Sequence, residues 1–159
     1  LPDGRLLIID YKTGASVDTR NWSSARLTEP QLPIYASIAK PQEGDVAGVA
    51  FGLVHLNKLA FKGIGDAENL VPGVEDLRSY RVRRLFNAEQ FPDWTSVLAH
   101  WKTAIHAVAE EVCHGEASVR YANDNDLMYC DVLPLLRLAE RDQQLQAAVS
   151  ANTSPEADA

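Results

Sequence analysis

The sequence has no apolar run long enough to cross a membrane. Its hydrophobic segments stay well short of the roughly 20 consecutive apolar residues that a membrane-spanning helix requires. No charged-then-apolar leader opens the chain either. From these absences we expect a cytoplasmic protein with no membrane partner.

Cysteine is also scarce, with only Cys113 and Cys130 in 159 residues. Two cysteines do not make a disulfide framework, so a reducing compartment fits this chain. Basic residues are outnumbered, because 15 Lys and Arg face 22 Asp and Glu, for a net charge of −7. An acidic chain argues against a domain that coats nucleic acid with its whole surface, so any such contact must be local.

The chain does not begin with Met. Its first residues, Leu1-Pro2-Asp3-Gly4, are typical of a turn that leads into a strand. We therefore expect a fragment of a larger protein. No internal repeat and no linker divides the sequence, and its length suits one domain with a buried core.

Hydrophobic patterning predicts alternating strands and helices in the first part of the chain. Arg5–Lys12 and Val46–Leu56 are dense apolar runs that suit buried strands, and a helix is predicted between them over Pro30–Ala39. Strand, helix and strand in this order predict a right-handed crossover between two parallel strands. Residues 57–62 are predicted as a further strand and 63–88 as irregular structure.

The clearest helical pattern comes later. Seven apolar residues recur at steps of three and four: Trp94, Val97, Leu98, Trp101, Ile105, Val108 and Val112. Trp94 and Trp101 are therefore predicted in the core rather than as stacking platforms, and His100 and His106, off the stripe, as solvated. A last helix is predicted over residues 132–148, followed by a disordered tail over 150–159.

Asp10 and Lys12 form the first candidate site. Two residues apart on a strand, their side chains point to the same face, and three apolar residues precede them. A carboxylate can hold a hard cation such as Mg²⁺, and a neighbouring lysine can act on an attacking water and offset phosphate charge. The spacing alone fits an ordinary ion pair at a strand end at least as well.

A longer string resembles a known family. Ile8-Ile9-Asp10-Tyr11-Lys12-Thr13-Gly14, followed by Gln31-Leu32-Pro33-Ile34-Tyr35, resembles the PD-(D/E)XK nucleases of the RecB type. The resemblance implies an α/β fold: a restriction-endonuclease-like core with a central mixed sheet flanked by helices, N-terminally truncated and followed by a helical C-terminal part. It implies a partial nuclease domain over residues 1–149, with its core at 3–62 and its helical part at 88–149.

The same resemblance implies the roles of the site residues. Asp10 would ligate Mg²⁺ or Mn²⁺, with the backbone carbonyl of Tyr11 as a further ligand, and Lys12 would act on the water. Gln31 and Tyr35, four residues apart and so on one helix face, would support the active site and the DNA. Family members place a second metal-binding Asp on the preceding strand, so we expect an incomplete and inactive site in the fragment.

The helix that carries Trp94 and Trp101 is followed by three short segments, Gly115-Glu116-Ala117, Tyr129-Cys130-Asp131 and Leu135-Leu136-Arg137. This C-terminal half resembles the tail of RecB-like and AddB-like bacterial repair nucleases. In many of these, cysteines of the tail bind an iron–sulfur cluster. The corresponding positions here are Leu127, Cys130 and Leu136. Thiolate ligation needs about four cysteines, so we expect no cluster, and Cys130 is predicted to be a packed thiol.

Two further features bear on DNA binding. The basic patch Arg78, Arg81, Arg83 and Arg84 could contact phosphates, and a simply solvated face fits it nearly as well. Trp22 lies in the loop between the two motifs, where a DNA contact is one hypothesis.

These observations favour a metal-dependent deoxyribonuclease of the exonuclease type, as a module of a DNA repair or recombination protein. Its partners would be DNA and a helicase domain or subunit. The alternative is a catalytically inactive module of the same fold that binds DNA or a helicase partner. A sheet deprived of strands also leaves an open edge, so we expect the fragment to dimerise or to be of low stability.

Overall fold

The computed structural model describes residues 1–14, 16–39, 44–56, 58–116, 118, 127–128 and 130–152. Contacts divide the chain into two compact units, Leu1–Glu116 and Ala117–Ala159, and each unit is described by itself. The single domain over residues 1–149 stays a prediction. None of the helices in the described part of the chain combines the length and apolar character needed to cross a bilayer.

The first unit is built on a four-stranded sheet with the strand order β1-β2-β3-β4. The strands are β1 (Leu6–Lys12), β2 (Val46–His55), β3 (Lys58–Gly65) and β4 (Val74–Asp76). β1 pairs with β2 in parallel, β2 with β3 antiparallel, and β3 with β4 in parallel. Helix α1 (Gln31–Ile38) lies between β1 and β2 in the chain, so the predicted strand, helix and parallel strand are confirmed.

The sheet extends further than the sequence predicts. β3 continues past residue 62 to Gly65, and β4 and the short helix α2 (Tyr80–Arg83) lie in a segment predicted to be irregular. The sequence does not predict this end of β3 because it contains Gly63 and Gly65, and glycine is uncommon in strands. Gly63 is needed where it stands, since a Cβ there would lie 2.0 Å from the carbonyl oxygen of Val49.

Helices α1 and α3 (Trp94–Cys113) pack with the sheet around one hydrophobic core. The core takes Leu32 from α1, Val49 and Phe51 from β2, and Trp101 from α3. The predicted α/β class, a mixed sheet flanked by helices, is therefore confirmed.

Helix α3 follows its sequence signals closely. Asp93 accepts a hydrogen bond from the backbone N–H of Ser96, whose hydroxyl in turn lies 3.3 Å from the Asp93 N–H, in a capping box. Gly115, with φ of +69°, follows the last turn. Trp94 and Trp101 are 8% and 0% exposed, so their predicted place in the core is confirmed.

Two side chains of this unit, Trp22 and His100, lie in surroundings that differ from the sequence prediction. Trp22, in a 3-10 turn, is 0% exposed and packs 5.6 Å from both Phe51 and Trp101 between ring centroids. The hypothesis of a DNA contact by Trp22 is therefore wrong. His100 is half-buried, with Nε2 3.1 Å from the carbonyl oxygen of Ser24, whereas His106 is exposed as predicted.

The second unit contains two helices in its described part, α4 (Leu133–Leu136) and α5 (Leu138–Asn152). The single helix predicted over 132–148 is therefore wrong. Arg137 separates the two helices because it adopts the left-handed conformation, with φ of +49°. Residues 153–159 of the predicted tail lie outside the described residues.

Candidate functional site

Asp10 and Lys12 lie on the face of β1 that α1 covers. Side chains alternate along a strand, so Tyr11 between them points to the opposite face. Tyr11 is 67% exposed, and its ring lies against Gly52, where an added Cβ would come within 2.8 Å of it. On the covered face, the parallel register places Asp10 opposite Phe51 of β2.

Gln31, the first residue of α1, connects the polar groups of this face. Its amide Nε2 donates to Asp10 Oδ1 at 3.1 Å, and Nε2 lies 3.2 Å from the hydroxyl of Tyr35. Its Oε1 accepts a hydrogen bond from Lys12 Nζ at 3.0 Å. The structure thus brings together the four side chains that the two sequence motifs single out. We call Asp10, Lys12, Gln31 and Tyr35 the strand-end cluster; their roles in binding and catalysis stay predictions.

The Lys12 ammonium group lies between two carboxylates. Its Nζ is 3.2 Å from Asp10 Oδ2 and 3.9 Å from Glu29 Oε2. It also lies 5.5 Å from the centroid of the Phe51 ring, within the range of a cation–π contact. Both charged side chains are largely covered by the protein, since the side chain of Asp10 is 15% exposed and that of Lys12 is 30% exposed.

Asp10 Oδ2 is the atom that best fits a metal. It is buried and has no hydrogen-bond partner, which is costly for an anionic oxygen. Mg²⁺ is often held by one or two carboxylates together with substrate phosphates and waters, so a carboxylate oxygen that makes no hydrogen bond suits it, although this one is ion-paired with Lys12. Within the described residues, no group of three or more His, Cys, Asp or Glu could hold a metal. The residues therefore fit a cation held by few protein ligands.

Glu29 is a residue of the site that the sequence analysis does not single out. It has φ of +50°, a left-handed conformation that is uncommon and strained for a residue with a side chain. The indole Nε1 of the buried Trp22 donates to the Glu29 carbonyl at 3.1 Å, which fixes this backbone to the core. An acidic residue before Pro30 carries no signal of its own, and its proximity to Lys12 appears only once α1 packs on β1.

A cleft of about 460 Å³ adjoins this carboxylate. It is lined by Ser16, Val17, Asp18, Arg20, Glu29 and Lys62. Lys62 Nζ donates to the Val17 carbonyl at 2.7 Å. The Arg20 guanidinium, hydrogen-bonded to Asp18, lowers the pKa of that carboxyl to about 2. The cleft therefore carries both signs of charge.

The predicted arginine patch lies on the segment that follows β4. β4 pairs with the last residues of β3, so Arg78 stands at the end of the sheet where β1 begins, away from Lys12. Arg78 is bound to the buried Asp76 at 3.0 Å. The nearby guanidinium of Arg83 donates to the carbonyl of Phe91 at 2.5 Å.

The other two arginines of the patch are more open. Arg81 pairs with Glu75 at 3.2 Å, with an 83% exposed side chain, and Arg84 is exposed. Their contact with phosphates stays a prediction.

Cys130, in the second unit, is half-buried and forms no disulfide. Its backbone N–H donates to the Leu127 carbonyl at 3.1 Å. Tyr129, the neighbour named with it in the sequence motif, lies outside the described residues. The absence of an iron–sulfur cluster stays a prediction.

Comparison with known proteins gives one match. The model of the PD-(D/E)XK nuclease superfamily matches residues 1–134, which include β1, α1 and the whole of the sheet. No curated protein and no solved structure matches the chain.

Proposed function

Since the chain belongs to the PD-(D/E)XK nuclease superfamily, we propose that its strand-end cluster is a metal-dependent site for the hydrolysis of DNA phosphodiesters. The observation that carries the proposal is the buried oxygen of Asp10, which has no hydrogen-bond partner although Lys12 and Gln31 surround its carboxylate. Such an oxygen can take a hard cation without losing a hydrogen bond, although the cation must displace the Lys12 ammonium group that lies 3.2 Å away.

Each residue has a distinct task in this proposal. Asp10 holds Mg²⁺ or Mn²⁺ through its carboxylate, and the Tyr11 carbonyl is a further ligand. The cation, when bound, supplies charge stabilisation at the phosphate and activates a water. Lys12 directs its ammonium group at that water and at the phosphate charge. Gln31 is hydrogen-bonded to both charged groups and lies close to Tyr35. It holds the Asp10 and Lys12 side chains in position relative to each other.

The wider assignment is part of the same proposal. Resemblance of the motifs to RecB-like and AddB-like nucleases supports an exonuclease that works in DNA repair or recombination with a helicase domain or subunit. Exposed basic side chains such as Arg81, Arg84 and Lys62 supply local positive charge, which an acidic protein needs to approach DNA.

One observation favours a second candidate function. Within the described residues Asp10 is not part of any group of three or more His, Cys, Asp or Glu that could hold a metal. This fits a module of the same fold that binds DNA or a helicase partner without cleaving. In the first candidate function the strand-end cluster is required for DNA cleavage. In the second, its residues can affect only binding.

The test compares cleavage with binding. Degradation of linear DNA is measured with Mg²⁺ or Mn²⁺, for the 159-residue chain and for a longer protein that contains it, as wild type and as Asp10→Asn and Lys12→Met. DNA affinity is measured in parallel by fluorescence anisotropy with EDTA present. Asp76→Asn, at a carboxylate near the other end of the sheet, is the matched control for the loss of one acidic charge.

In whichever form of the protein cleaves DNA, we expect both site variants to lower the cleavage rate by at least about a hundredfold, in line with the loss of one group that stabilises charge. Asp76→Asn should keep the rate per folded molecule. Cleavage that persists at the wild-type rate in Asp10→Asn and Lys12→Met would refute the catalytic proposal. DNA binding without cleavage in any form of the protein would favour the binding module.

A further inference from the structure

Lys12 and a metal ion compete for the same oxygen of Asp10. The ammonium Nζ lies 3.2 Å from Oδ2, and Oδ2 is also the buried oxygen without a hydrogen bond. A dication bound there would neutralise the carboxylate and repel the ammonium group. The ammonium group would then need another anionic partner, because a cation left partly buried and unpaired is unfavourable.

Glu29 is placed to be that partner. Its Oε2 is 3.9 Å from Lys12 Nζ, about 1 Å longer than a charge-assisted hydrogen bond. Within the described residues, Asp10 and Glu29 are the carboxylates that form ion pairs with Lys12. The Lys12 side chain can close this gap by a small rotation, because its stem is flexible and 30% exposed.

The backbone at Glu29 indicates that its position is imposed by the fold. A left-handed conformation, φ +50°, is unfavourable at a residue other than glycine and persists only where the surrounding structure enforces it. The hydrogen bond from the buried Trp22 to its carbonyl opposes a return to a relaxed conformation. This arrangement fixes Glu29 where its side chain lines the cleft and its carboxylate lies 3.9 Å from Lys12 Nζ.

We infer that Glu29 is a positioning residue that accepts the Lys12 ammonium group when a divalent cation takes the Asp10 carboxylate. The inference rests on the proposed function, since it assumes that Asp10 holds the cation. In the absence of DNA, it assigns Lys12 two positions, one on Asp10 without metal and one on Glu29 with metal. Glu29 thereby makes metal binding more favourable without touching the metal.

The experiment is a double-mutant cycle read out by Mn²⁺ affinity, with no DNA present. Mn²⁺ binding is measured by electron paramagnetic resonance on the wild type, Glu29→Gln, Lys12→Met and the double variant, at fixed ionic strength. Asp18→Asn is the matched control, because Asp18 lines the same cleft but is bound to Arg20. Urea unfolding of each variant verifies that it is folded.

Glu29→Gln should weaken Mn²⁺ binding by about two- to fivefold, the range expected when one partly exposed ion pair is lost. Lys12→Met should bind Mn²⁺ more tightly than the wild type, since it removes the competing ammonium group. In the Lys12→Met background, Glu29→Gln should have no further effect, and Asp18→Asn should match the wild type.

Three results would overturn the inference. If Glu29→Gln binds Mn²⁺ as the wild type does, Glu29 has no part in metal binding, while the proposed function stands. If it weakens binding equally with and without Lys12, Glu29 acts directly on the cation and not through the lysine. If Asp10→Asn, measured alongside the other variants, binds Mn²⁺ as tightly as the wild type does, the metal role of Asp10 falls and the proposed function falls with it.

Discussion

Replacement of Gln31 by Met tests how much the Gln31 amide contributes to the stability of the strand-end cluster. Methionine keeps the length and flexibility of the side chain but removes the donor to Asp10 Oδ1, the acceptor for Lys12 Nζ and the contact with the Tyr35 hydroxyl. Two of these three hydrogen bonds are made to charged groups. A hydrogen bond of this kind contributes about 1.5–3 kcal/mol to the free energy of unfolding.

Solvent lowers the expected cost of this change. Lys12 and Tyr35 are 30% and 41% exposed, so water can replace the amide at both. Asp10 is only 15% exposed, and its other oxygen already lacks a hydrogen bond. The bond to Asp10 therefore dominates, and we expect Gln31→Met to lower the free energy of unfolding by about 2 kcal/mol.

Urea unfolding at neutral pH, followed by the fluorescence of the buried Trp22 and Trp101, measures this loss. Gln90→Met is the control, because the Gln90 side chain is exposed, and it should change stability by no more than about 0.5 kcal/mol. If both substitutions cost the same, the cluster is not held together by the Gln31 amide, and the argument from its hydrogen bonds is wrong.

Three other changes test the fold and its charges. Gly63→Ala should leave little folded protein by circular dichroism, because its Cβ would lie 2.0 Å from the Val49 carbonyl oxygen. Asp93→Ala, which removes the cap of α3, should cost about 1 kcal/mol in urea unfolding. Arg20→Gln should raise the pKa of Asp18 from about 2 towards its ordinary 3.8, as NMR titration of the carboxyl carbon would show. The folded-state pKa is the lower one, so Asp18 stabilises the protein above pH about 4 and loses this effect as the pH falls towards 2.

Each of these changes has a neighbouring control. Gly14→Ala should fold, because the nearest atom to its Cβ is 3.8 Å away, and Thr95→Ala, beside the cap but exposed, should cost little. Arg26→Gln should leave the pKa of Asp18 where it is, since Arg26 is bound to Glu111. A Gly63→Ala protein of normal stability would contradict the account of the sheet, and an unmoved Asp18 would contradict the role given to Arg20.

Local patterns predict the elements that carry the site. β1, α1 and β2 follow dense apolar runs separated by turn residues, and α3 follows a repeat of three and four residues with a cap at its start. These signals lie within each segment, so apolar runs and turn residues find the strands, and the helical repeat finds α3. The short elements β4 and α2, of three and four residues, contain too few positions to show any period.

Features set by distant contacts are not visible in the sequence. Trp22 lies in a polar loop, and its burial depends on Phe51 and on Trp101, 79 residues away. Glu29 comes near Lys12 only because α1 folds back on β1. The separation of α4 from α5 depends on a left-handed arginine at 137, where the usual signal would be glycine.

The alternation of side chains along β1 also limits how this segment can change in length. Asp10 and Lys12 face α1, whereas Tyr11 lies against Gly52 on the other face. The pairing of β1 with β2 is regular from Leu7 to Lys12. Insertion or deletion of one residue there would exchange the two faces, so that a tyrosine would meet Gln31 and two charges would meet the glycine. Variants of this protein should therefore tolerate insertions and deletions in its loops but not in β1. The strand should keep its seven residues even where individual side chains are substituted.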